Sequence, residues 1–225
     1  MKGKAVLLAI SVVLAGCGGG QERPVPENDL EGVGGFLKRA FAERSASVSR
    51  AGGGLCGDPQ ILGEPAGAVT GSNPACGMSD AVRVTSVAGV ALSQPALIRC
   101  ETAVALRHWV ETGAKPALET RKRKLTELKV AAHYACRTRN HQPGAKISEH
   151  GKGRAIDLSA FRMSDGSEIT VLDDWGRGGN GKALRSMHRA ACGPFGTVLG
   201  PGSDGFHEDH FHFDTARHRG GPYCR

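Results

Sequence analysis

The sequence predicts an α+β fold: helices on one face of a small antiparallel sheet, with the other face left as an open cleft. Three observations carry this expectation. Segments around 155–160 and 209–214 alternate apolar and polar side chains, as half-buried strands do. Two stretches, Pro95–Gly113 and Gly181–Cys192, place apolar residues at helical spacing. Glycine is abundant, 33 of 225 residues, so the elements must be short and joined by many loops.

The N-terminus suggests a compartment before any fold begins. Lys2 and Lys4 give a positive start, and Ala5–Ala15 is an eleven-residue apolar run. That run is too short to span a bilayer and fits the core of a signal peptide. It ends in Leu14-Ala15-Gly16-Cys17, similar to a bacterial lipobox. Residues 1–16 are therefore expected to be a lipoprotein signal, with Cys17 as the lipidated N-terminus. Gly18 lacks the acidic side chain of an inner-membrane retention signal. The expected location is the cell envelope, as an outer-membrane lipoprotein facing the periplasm of a Gram-negative cell. Residues 17–54 read as a tether. They carry Gly18–Gly20, Pro24-Val25-Pro26, a short amphipathic helix over 29–46 (Leu30, Val33, Leu37, Phe41) and a second linker ending at Gly54. The domain itself is expected over 55–225.

Within that domain, Arg83–Leu92 is β-rich. Pro95–Gly113 follows as a helix whose stripe is Leu97, Ala103, Leu106, Trp109 and Val110. A strand within 128–136 leads to Arg137, and another spans 155–160. The helix Gly181–Cys192 takes Asn180 as its cap. A short strand at 196–199 precedes the turn Pro201–Gly205. The last strand, 209–214, should lie near the middle of the sheet. Six cysteines besides Cys17 form an even set in an exported chain, which implies disulfides. The preferred pairs are Cys192 with Cys224, Cys100 with Cys136, and Cys56 with Cys76. The net charge of +7 and pI of about 9.2 favour anionic partners. In this compartment those are the cell wall and lipid headgroups. Nucleic acid is not expected: Arg121–Lys124 has no aromatic interleaving, and no nucleic-acid motif is present.

Two segments carry the chemistry. One is Ser148-Glu149-His150-Gly151-Lys152-Gly153-Arg154-Ala155-Ile156-Asp157. The other runs from Phe206 to Asp214 and holds His207, Asp209, His210 and His212. Imidazole and carboxylate are the ligands of hydrolytic zinc, which takes three protein ligands and leaves a fourth position for water. In the first strand Ile156 and Leu158 face one way, Asp157 and Ser159 the other. In the second Phe211 and Phe213 face the core, while His210, His212 and Asp214 share the opposite face. Two adjacent strands would bring Asp157 and His212 toward one metal, with His150 entering from the glycine-flanked loop. One Zn²⁺ per chain is expected.

The pattern Ser-x-His-x-x-Gly-x-Ala-x-Asp followed by His-x-His resembles zinc peptidases of the D-Ala-D-Ala carboxypeptidase and penicillin-insensitive murein endopeptidase type. The spacing of His207, His210 and His212 is closest to the endopeptidase branch. The run Tyr134–Asn140, both motifs, Val198–Pro201 and Cys224-Arg225 resemble the bacterial extensin-like C-terminal domain family. This resemblance implies a zinc-dependent hydrolase of peptidoglycan peptides, either endopeptidase or carboxypeptidase. It implies metal ligands His150, Asp157 and His212. It makes His210 the general base or transition-state donor, with His207 sharing the task. It gives Arg137 an oxyanion or a substrate carboxylate to hold, and gives Ser148 the orientation of substrate or of His150. In the carboxypeptidase register Asp209 would be the base instead, although alternation turns it away from the cleft. The competing reading is a non-catalytic zinc module that binds peptidoglycan or serves as an interaction domain.

Overall fold

The computed structural model describes residues 54–225. The expected signal sequence, Cys17, the tether and the helix over 29–46 lie outside the described residues. The described chain opens with β1 (Ile61–Thr70), β2 (Gly77–Val87) and β3 (Val90–Arg99), an antiparallel meander. Ala88 and Gly89 join β2 to β3, both at positive φ (50° and 75°). A two-residue turn of this kind matches the right-handed twist of the strands it joins. Then come α1 (Cys100–Trp109), a π-helical turn (Val110–Ala114) and α2 (Lys115–Leu118). This crossover returns the chain as β4 (Leu125–Ala132), parallel to β3. The long strand β5 (Ala155–Met163) follows, then β6 (Glu168–Thr170), α3 (Val171–Asp174) and α4 (Gly178–Ala191). The chain ends with β7 (Thr197–Leu199), β8 (Phe211–Asp214) and β9 (Tyr223–Cys224).

The strands form one nine-stranded mixed sheet, ordered β1-β2-β3-β4-β5-β8-β7-β9, with β6 paired to β5. The α+β class therefore holds, but the sheet is neither small nor purely antiparallel. The β3/β4 and β7/β9 pairs are parallel. The helical crossover after β3 is what makes a parallel neighbour possible. Beside β5 and β8 the helices lie against one face. Ile156, Leu158, Phe161, Phe211 and Phe213 are fully buried there with Trp109, Leu184 and Met187. The Trp109 ring meets Phe213 edge-on at 5.0 Å, and its indole N–H donates to the Met187 carbonyl at 2.9 Å. No helix among the described residues is long and apolar enough to cross a membrane.

Several local expectations are corrected. Pro95–Arg99 is the end of β3, and the helix begins only at Cys100. The alternating burial of Ala96 and Ile98 against β2 overrides the apparent helical stripe. The stretch Arg83–Leu92 is split by the Ala88-Gly89 turn between two strands. Asn180 lies inside the first turn of α4, with Arg177 at the cap position; its side-chain amide donates to Asp174 at 3.1 Å. The strand expected over 128–136 ends at Ala132. The one expected over 209–214 starts at Phe211, so His210 precedes it.

All six domain cysteines are bridged, but only Cys192–Cys224 matches the expected pairs. The other two bridges are Cys56–Cys100 and Cys76–Cys136. Hairpin pairing explains the difference. β1, β2 and β3 fold back on one another, which carries Cys56 to the start of α1 and Cys76 to the segment after β4.

Gly153 shows how the motif's glycine is required. It ends the 3₁₀ turn Glu149–Lys152 in the left-handed region (φ 67°), and an added Cβ would lie 2.1 Å from Met78 Sδ. Gly153→Ala is expected to lower unfolding free energy by about 2–4 kcal/mol, combining left-handed strain with overpacking. Gly144→Ala is the control, since Gly144 has φ 74° but open space around its Cβ. It should lose only about 1 kcal/mol. Urea unfolding of both variants checks the difference; equal losses would remove the packing argument.

Candidate functional site

The register of β5 on β8 decides the site. Ile156 pairs with Phe213, Asp157 with His212 and Leu158 with Phe211. The apolar pairs fall on the helix-covered face, so Asp157 and His212 are directly opposite each other on the other face. His150 arrives from the 3₁₀ turn Glu149–Lys152. Ser148 caps that turn, its hydroxyl accepting from the His150 backbone N–H at 3.4 Å. Ser148 also lines the cleft.

Three donor atoms converge. His150 Nε2 is 3.1 Å from Asp157 Oδ2, and His212 Nδ1 is 2.8 Å from Asp157 Oδ1. The two ring nitrogens are 3.2 Å apart. His150, Asp157 and His212 are all buried, with candidate ligand atoms within 4.8 Å of one another. Among the described residues no other group of three His, Cys, Asp or Glu side chains is placed this way.

Each histidine is anchored at its other nitrogen. His150 Nδ1 faces the His133 carbonyl at 2.7 Å. A carbonyl only accepts, so Nδ1 carries a proton there, and Nε2 is the nitrogen turned toward Asp157. His212 Nε2 faces Asp214 Oδ2 at 3.1 Å. Metal-ligating histidines are oriented by partners of this kind. Alternation put Asp214 on the face of His212, but its part as an anchor was not read from the sequence. The His133 carbonyl had no sequence signal at all.

The electrostatics follow from burial and these contacts. Burial favours the neutral form of Asp157, yet hydrogen bonds from His150 and His212 hold its carboxyl far below the usual range. Burial would lower His212, but Asp157 and Asp214 outweigh it and raise the ring to about 9. Asp214 is held low against its own burial by His212. His207 is lowered, chiefly by burial, with Asp204 opposing. Two buried carboxylates thus face two buried imidazoles. A nitrogen–oxygen–nitrogen set with excess negative charge suits a divalent cation of the zinc type.

The remaining expected residues surround this cluster. His210 Nε2 is 3.7 Å from Asp157 Oδ2, while its Nδ1 is 2.7 Å from Asp209 Oδ1. Asp209 is 66% exposed and reaches the site only through His210. His207 Nδ1 is 2.6 Å from Asp204 Oδ1, and its ring centroid lies 5.2 Å from that of His210. Arg137 stands on the far wall, its guanidinium donating to the Thr138 carbonyl at 3.3 Å. Except for Asp209, these side chains line a cleft of about 540 Å³. Asp204 was not singled out in the sequence; as the partner that orients His207 it belongs to the site.

Fold and site together define a disulfide-braced α+β domain with a buried His/Asp/His cluster at the floor of a cleft. Residues 63–225 match the family described as Extensin-like protein C-terminus, and the chain belongs to that family. Comparison with curated proteins and with solved structures finds no match.

Proposed function

We propose that this chain is a zinc-dependent hydrolase of peptidoglycan peptides. The observation that carries the reading is the convergence of His150 Nε2, Asp157 and His212 Nδ1, with the second nitrogen of each histidine already committed to an acceptor. These three residues would hold the ion. Zinc, when bound, supplies Lewis-acid polarisation of a carbonyl and acidifies water to near neutrality.

The chain's own residues supply the rest. His210 is the group that takes the proton from the attacking water and returns it to the leaving amine. Asp209 accepts from His210 Nδ1 and so presents Nε2 toward Asp157. The acid and the histidine, competing bases by sequence, become a couple in which one orients the other. His207, fixed by Asp204, lines the cleft beside them. Arg137 provides N–H donors for an oxyanion or a carboxylate. The similarity of the motifs to zinc carboxypeptidases and murein endopeptidases supports peptide hydrolysis. Three disulfides and the lipobox-like Leu14–Cys17 support an envelope location, with an outer-membrane anchor through Cys17.

Incubating the zinc-loaded protein with purified sacculi tests this. New muropeptides lacking one peptide bond are expected by mass spectrometry, and they should vanish with chelator. Intact sacculi in the presence of fully zinc-loaded protein that nevertheless co-pellets with them would replace hydrolysis by wall binding.

A further inference from the structure

The strand order places β7 between β8 and β9. In that pairing Thr197 of β7 stands directly opposite Asp214 of β8, and Leu199 opposite His212. Cross-strand partners present their side chains on one face. Thr197 therefore belongs to the cluster face, and both it and Asp214 are buried. Burial would raise the Asp214 carboxyl; His212 first, then the Ala216 N–H and the Thr197 hydroxyl, hold it low. On its other side Thr197 Oγ1 lies 2.9 Å from His218 Nε2. His218 follows β8, outside both sequence motifs, and it lines the cleft with Thr197, His212 and Asp214.

The direction of the hydrogen bonds in this series follows from its carboxylate. An ionised carboxylate only accepts. Asp214 Oδ1 receives the Ala216 backbone N–H at 2.9 Å, and Oδ2 faces His212 Nε2 at 3.1 Å. His212 Nε2 must therefore carry a proton, which makes Nδ1, 2.8 Å from Asp157, the nitrogen that turns to an ion. The Thr197 hydroxyl has one proton and gives it to Asp214, so its oxygen can only accept from His218. His218 Nε2–H donates to Thr197, and Thr197 donates to Asp214, which receives His212 from the opposite side. Every proton in the series points toward Asp214. Outer partners of this kind fix the tautomer and the orientation of a metal-binding imidazole.

We propose that Thr197 and His218 are positioning residues of the metal site: His218, acting through the Thr197 hydroxyl, holds Asp214 in the orientation that presents His212 Nδ1 to the ion. The proposal rests on the metal reading of the His150–Asp157–His212 cluster and is independent of whether the bound ion hydrolyses a peptide. It places on β7 and on the chain after β8 two residues that set how tightly the site holds its ion.

Competition for zinc between the full chain and a chromophoric chelator measures the effect. Thr197→Val keeps the shape and removes the hydroxyl. It should raise the zinc Kd about tenfold, the lower end of the loss that follows removal of an outer partner. Thr197→Ser should return the Kd close to the wild-type value. His218→Ala should raise it by a smaller factor, and His218→Gln, whose amide N–H can donate to Thr197, should recover it. The combined Thr197→Val, His218→Ala variant should match Thr197→Val alone, because His218 acts only through that hydroxyl. A wild-type Kd in Thr197→Val overturns the proposal. So does a Thr197→Ser protein as weak as Thr197→Val, since the site would then answer to side-chain shape and not to the hydroxyl. Losses that multiply in the combined variant also overturn it, since His218 would then act by another route. A second measurement needs no metal. In chelated protein the imidazole nitrogen NMR signals of His212 should move in Thr197→Val and in His218→Ala, although the bonds of His218 and Thr197 reach that ring only through Asp214. Moved signals in a wild type that takes up no zinc would remove the metal reading and leave the positioning of His212 standing. Tight zinc binding with unmoved signals does the reverse.

Discussion

Asp157→Ala is expected to strip the protein of zinc and to destabilise the ground beneath the site. Asp157 contacts both cluster imidazoles, at 3.1 Å and 2.8 Å, and it is buried. Its loss leaves two buried rings without their shared acceptor, and an orphaned buried charge partner costs about 3–5 kcal/mol. His150→Ala and His212→Ala should also empty the site. Asp214→Ala, one shell out, should weaken zinc affinity only about 10–100-fold. Metal analysis and thermal unfolding read both effects. Full zinc occupancy in the three ligand variants would end the assignment.

The same cluster sets a pH signature. In chelated protein His212 is raised to about 9, above its ordinary value. Its contribution to stability is therefore fully present below about 6.5 and is lost as pH rises through about 9. Asp157 is depressed, so its contribution is present above the ordinary carboxylate pKa and is lost as pH falls below it. Zinc requires deprotonated ligands. The gap in Tm between zinc-loaded and chelated protein should accordingly widen from pH 6.5 to 9. A gap that narrows over this range would contradict the His212 assignment.

His210→Ala is expected to keep zinc and fold while slowing hydrolysis by ~10²–10⁴-fold, the usual worth of a general acid or base. Its Nε2 approaches Asp157 at 3.7 Å, yet three other donors already complete the cluster. Asp209→Ala removes only the acceptor that aims His210. It should cost less, because the base itself remains and only the acceptor at its Nδ1 is gone. If Asp209→Ala abolishes turnover and His210→Ala does not, the carboxylate is the base and the couple runs the other way.

Much of the site was legible because strand alternation is a local property. A period of two places Asp157 opposite in direction to Ile156 and Leu158, and His212 opposite to Phe211 and Phe213, wherever the strands end up. The structure pairs those strands in that register. His210 was legible for a less sound reason. It lies before β8, and a turn, not alternation, carries it to Asp157.

The sequence by itself determined the identity of the cluster residues, the faces of the two strands that bear them, the even cysteine set and the α+β class. Each of these depends on residue type or on spacing within one element. Only the tertiary structure decided which cysteines meet, since Cys56 joins Cys100 and Cys76 joins Cys136 across folded hairpins. It also decided the helix start at Cys100, the parallel neighbours in the sheet, and the anchors that Asp214 and the His133 carbonyl give the histidines. Those features are contacts between segments distant in sequence: the pairing of β1, β2 and β3 sets the two bridges and the helix start, the helical crossover sets the β3/β4 neighbours, and the fold around β5 and β8 brings the anchors to the histidines.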